Sequence, residues 1–67
     1  MKRRKCEKIL NKLGAKYQRT SGSHQIYELN SKIIIVPHKT DISSGTLRDI
    51  RNRVRDALGD DNYELSA

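Results

Sequence analysis

Apolar residues near the start of the chain share one side of a helix. Cys6, Ile9, Leu10 and Leu13 follow the i, i+3, i+4, i+7 spacing, and Gly14 stands where a left-handed C-cap residue belongs. The spacing predicts a first helix that ends there. Next come Lys16 to Thr20, the turn-forming Ser21-Gly22-Ser23, and His24 to Leu29, where β-branched and aromatic residues reappear. This is the pattern of a β-hairpin. Asn30-Ser31 makes a second tight connection before Lys32-Ile33-Ile34-Ile35-Val36, and Pro37, with no amide to donate, closes that strand.

The third strand is apolar on both faces, whereas a three-stranded sheet with helices on one side leaves its other face open. Either something covers that face or the strand ends tuck under loops. Ser43-Ser44-Gly45-Thr46 then supplies N-cap hydroxyls ahead of Leu47, Ile50, Val54, Ala57 and Leu58, a second helical stripe running to a C-cap glycine, Gly59. The order is α-β-β-β-α. It predicts an α+β domain spanning 1–67, a three-stranded antiparallel sheet with both helices on one face, the arrangement of double-stranded-RNA-binding domains. The acidic tail, Asp60 to Ala67, is expected to contribute Tyr63 and Leu65 to the core.

A chain of 67 residues buries only about 60% of the surface its unfolded form exposes. With 34% hydrophobic residues and neither Trp nor Phe, the core must be thin, which leaves room for association with a second copy or a partner chain. Cys6 is the only cysteine, so an intramolecular disulfide and a Cys-rich zinc site are excluded and a reducing, cytoplasmic setting is expected. Lys2 to Lys5 precede a charged amphipathic stretch rather than the apolar run of a signal peptide. No segment approaches the roughly 20 apolar residues of a membrane span.

The formal net charge is +6 and the pI is near 9.8. That balance favours an acidic partner, nucleic acid first, an acidic protein second and an anionic membrane surface third. Two cationic rows are candidates for holding RNA: Lys5, Lys8 and Lys12 on the first helix, and Arg48, Arg51 and Arg55 on the second, where Asp49 and Asp56 take the outer face. Either row could equally be a solvated face.

RNA carries its own nucleophile beside each phosphodiester, the 2′-hydroxyl, so its cleavage needs only a base, charge stabilisation and alignment. His24 suits the base role, since an unperturbed imidazole titrates near pH 6.5 and the preceding glycine turn exposes the position. A hairpin histidine with no role is the plainer alternative. His38, Tyr27 and Lys39 are candidates for the general acid or a phosphate contact; His38 could also simply cap its loop. Ser23 and His24 are strand neighbours that point to opposite faces, which defeats a serine-hydrolase reading. Two imidazoles without a carboxylate at paired spacing make a poor metal site, so neither metal nor cofactor is expected.

Gly22-Ser23-His24-Gln25-Ile26-Tyr27, Val36-Pro37-His38 and Gly45-Thr46-Leu47-Arg48-Asp49-Ile50, in that order, resemble the HicA toxin family of mRNA interferases, also called YcfA-like proteins. The resemblance covers most of the chain. It implies a small metal-independent endoribonuclease of a type II toxin–antitoxin system, a stress-response module, with mRNA as substrate and a HicB-type antitoxin as partner. It also implies that His24 is the catalytic histidine and that Gly22 and Ser23 form the turn meeting phosphate. Gly45 would bring backbone amides close to an anion at the mouth of helix 2. Gln25 stands where many members carry a second histidine, and the segment from Pro37 to Gly45 is shorter than in common versions.

Two other functions compete with this one. A non-catalytic RNA-binding domain would use the same fold and charge to grip RNA by shape and phosphate contacts. A degenerate toxin-like protein would act chiefly through an acidic protein partner laid on the open face or edge of the sheet.

Overall fold

The computed structural model describes residues 1–59 and has the order α1 (Arg3–Lys12), β1 (Lys16–Ser21), β2 (His24–Leu29), β3 (Lys32–Pro37) and α2 (Ser44–Leu58). The strands form one antiparallel sheet in the order β1-β2-β3. The expected α-β-β-β-α arrangement is therefore the observed one. The tail, with the expected core residues Tyr63 and Leu65, lies outside the described residues.

Each turn follows from its residues. Gly22 adopts φ +60° between Ser21 and His24, the positive φ at the first central position that a type II′ hairpin turn requires. Asn30 and Ser31 both take positive φ, 48° and 69°, as in a type I′ turn, whose twist matches that of the strands it joins. β1 is irregular: Tyr17 pairs with Tyr27 and Arg19 with Ile26, so Gln18 is an extra residue in a β-bulge.

The helices begin differently. Ser43 caps α2, its hydroxyl oxygen accepting from the Thr46 amide at 3.3 Å, and Gly59 ends it in the left-handed region with its amide on the Arg55 carbonyl at 2.7 Å. α1 has no side-chain cap and no acidic residue in its first turn. Long-range contacts pin it instead. The Arg3 amide donates to the Thr40 carbonyl at 2.9 Å, the Ile42 amide to the Met1 carbonyl at 2.8 Å, and Lys2 pairs with Asp41 as an isolated bridge and an exposed ion pair.

Both helices pack on one face of the sheet. Cys6, Ile9 and Leu10 of α1 and Leu47, Ile50 and Val54 of α2 enclose Tyr27, Leu29, Ile34 and Val36, with Ala15 and Ile42 closing the ends. The alternate residues of β2 and β3 point to the other face, where Ile33 and Ile35 are 45% and 43% exposed. Ile26, on the same face between Arg19 and Ile35, is only 8% exposed.

Candidate active site

Because strand side chains alternate, the register places three cross-strand rows on the open face. The first, next to the Gly22 turn, is Ser21–His24–Pro37. The second is Arg19–Ile26–Ile35 and the third Lys16–Glu28–Ile33. His24 is thus an exposed residue at the turn end of the face, with an aliphatic floor beside it and cationic Arg19 diagonal to it. Among the described residues no side chain hydrogen-bonds or ion-pairs with the His24 imidazole.

α2 packs against β3, and residues of the helix and of the sheet together line a cleft of about 730 Å³. His24, Ile35 and Pro37 line the sheet side, and Thr46, Asp49, Ile50, Asn52, Arg53 and Asp56 the helix side. The α2 arginine that shares the cleft with His24 is therefore Arg53. Arg48, Arg51 and Arg55, the row read from spacing, are not part of the cleft. Lys5, Lys8 and Lys12 are exposed on α1, across the sheet from His24. The sequence pattern placed Asp49 and Asp56 outermost and passed over Arg53. The available signal was the series Thr46, Ile50, Arg53, a helical flank whose apolar member marks the border of the core.

His38 sits on the other side of the strand end. Its Nδ1 is 3.2 Å from the Arg3 guanidinium and 3.3 Å from the Gln25 side-chain amide. Arginine can only donate, so Nδ1 accepts and the proton of the neutral ring lies on Nε2. The His38 backbone amide donates to the Ser23 carbonyl at 2.7 Å, tying the end of β3 to the turn that carries His24. The two imidazoles are not brought together. Gln25 partners His38 and points away from the open face.

Tyr27 is 4% exposed on the helix-covered face, edge-on to Tyr17 with ring centroids 5.7 Å apart. Burial and the nearby Glu7 carboxylate push its hydroxyl pKa upward. The sheet separates it from His24. Cys6 is buried in the core, and loss of solvation, with Glu7 nearby, raises its thiol to about 11. Lys39 lies in the loop beyond Pro37, its amide on the Pro37 carbonyl. Gly45 is in the first turn of α2 with open space where a side chain would stand, so the fold itself does not demand glycine there. Among the described residues no three His, Cys, Asp or Glu side chains converge to hold a metal, and no helix is long and apolar enough to cross a membrane.

The family model described as the HicA toxin of bacterial toxin–antitoxin matches residues 3–57, from α1 to the last turn of α2. The chain belongs to the HicA toxin family. No curated protein and no solved structure matches it. In this HicA-family protein the matched span contains every residue of the cleft, and membership makes it the toxin side of a toxin–antitoxin pairing.

Proposed function

We propose that this HicA-family protein is a metal-independent endoribonuclease, an mRNA interferase acting in the cytoplasm, with His24 as its general base. The supporting observation is a single ring: an exposed imidazole that no side chain among the described residues binds, held at the lip of a cleft by a two-residue turn, with Arg19 diagonal to it on the sheet and Arg53 lining the same cleft. The RNA 2′-hydroxyl gives its proton to His24, and its oxygen attacks the adjacent phosphorus. The bond from phosphorus to the 5′-oxygen then breaks. Water at the rim of this open cleft protonates the departing oxygen, and the products carry a 2′,3′-cyclic phosphate and a 5′-hydroxyl. Arg19 offsets the charge that builds on the phosphoryl oxygens, and Gly22, with open space where a side chain would stand, lets the phosphate approach the turn. A HicB-type antitoxin of acidic character would inhibit by covering Ile33, Ile35 and the cleft.

The test is incubation of the purified chain and its His24→Ala variant with labelled RNA in excess EDTA. Cleavage by wild type alone, leaving cyclic phosphate ends, is the expected result. Cleavage by both proteins would mean another catalytic group or a contaminant, 5′-phosphate ends would rule out the mechanism, and cleavage by neither would leave an RNA-binding domain.

A further inference from the structure

The helix wall of the cleft carries more chemistry than phosphodiester cleavage uses. We propose that this wall reads the base of the nucleotide whose 2′-hydroxyl faces His24, and that it selects guanine. The inference rests on the ribonuclease reading above and adds a substrate preference to it.

α2 runs back along β3. It starts after the loop that leaves Pro37, and its end lies beside the β2–β3 turn, where the Asn30 side-chain amide donates to the Ala57 carbonyl at 3.0 Å. Thr46 and Asp49 therefore stand level with His24 and Pro37, and Arg53 lies one turn further on, about 6 Å along the axis, toward Ile35. The cleft volume of about 730 Å³ falls in the range of roughly 300–1,000 Å³ typical of small-molecule sites. Its floor of Ile35 and Pro37 suits the face of a base, and its wall of Asp49, Asn52 and Arg53 suits an edge.

That wall is not used by the protein itself. Asp49 and Arg53 have the i, i+4 spacing at which helix ion pairs form, yet among the described residues neither they nor Asn52 make a side-chain hydrogen bond or ion pair. Two carboxylates, Asp49 and Asp56, also repel a phosphate chain, which places the RNA backbone on the Arg19 and Gly22 side and turns the base toward α2. Guanine has adjacent N1–H and N2–H donors that a carboxylate accepts together, with O6 beside them for an arginine. Adenine and cytosine offer one amino group. Uracil offers one N–H between two carbonyls, which a carboxylate repels.

The experiment uses four single-stranded oligonucleotides, each with one ribose among deoxyriboses, differing only in the base on that ribose. The full chain should cleave the guanine substrate about 5- to 150-fold faster than the uracil one, the discrimination typical of one good bidentate contact. Asp49→Asn and, separately, Arg53→Gln should each bring that ratio most of the way back to unity; both residues are exposed, and circular dichroism checks that the variants fold. Binding of the same oligonucleotides to the His24→Ala protein should follow the same order. Cleavage without a base preference, or a preference that both variants retain, overturns the inference and leaves the ribonuclease reading standing. If the wild type cuts none of the four, the ribonuclease reading fails, and the binding order then decides alone: guanine first supports the base-reading wall, and equal affinities overturn it.

Discussion

Cations occupy both sides of this sheet, and only one side holds His24. Replacing Arg19 with Gln should weaken RNA binding more than replacing Lys5, Lys8 and Lys12 together, although the second set removes more charge. For single strands each phosphate contact contributes about 0.7 to the slope of log K against log salt. Losing Arg19 should therefore lower the slope by about 0.7, which at roughly 0.15 M salt, relative to 1 M, is worth about fourfold in affinity. The lysine triple, across the sheet from the cleft, should change the slope by less than one contact. The assay is fluorescence anisotropy of a short single strand titrated with protein carrying His24→Ala, repeated from about 50 to 200 mM salt. A slope loss near 2 for the lysines with none for Arg19 would show that RNA runs over the helices, and the assignment of the cleft would be wrong.

Three further outcomes follow from packing and backbone. Leu47→Ala, at a position 1% exposed, should cost about 2–5 kcal/mol, against a total of about 3–10 kcal/mol for a chain this size; urea unfolding should show a midpoint lowered by at least about 1 M, or a variant already unfolded without urea. The Cys6 thiol is raised from 9.0 to about 11 in the fold, so its contribution is fully present below pH 9 and is lost as pH climbs toward 11. That removes about 2–3 kcal/mol; wild type should lose more stability across this window than Cys6→Ala, and parallel losses would refute the point. Gly22→Val should destabilise by roughly 1–2 kcal/mol through its positive φ, with Gly22→Asn milder because Asn tolerates positive φ far better than a β-branched residue; equal melting temperatures for the two would count against the turn assignment.

The helices were legible because each buries a stripe whose spacing survives in sequence. Cys6, Ile9 and Leu10 form the buried face of α1, and Leu47, Ile50 and Val54 that of α2. The turns were legible from Gly22 and from Asn30-Ser31, whose backbone needs are local. The bulge at Gln18 was not, since every residue of β1 is exposed and leaves no alternation to read. His24 was legible as a position, but its surroundings were not. Which flank of α2 meets the cleft depends on how the helix packs against β3, a property that spacing alone does not carry, so Arg53 went unnoticed beside a more conspicuous arginine row. His38 and Tyr27 are near His24 in sequence, yet strand alternation and the helix-side contacts of His38 set them apart from it.

The bulge also sets which changes in chain length this fold tolerates. β1 carries one residue more than its partners require, and on either side of Gln18 the alternation continues in phase, with Tyr17 opposite Tyr27 and Arg19 opposite Ile26. Deleting Gln18 would therefore restore a regular strand and leave every other side chain on its present face. Deleting a residue from β2 has no such refuge: it would turn either His24 or the core pair Tyr27 and Leu29 to the wrong side of the sheet. Relatives one residue shorter at this place can keep the cleft intact, and losses in the strand that bears His24 cannot.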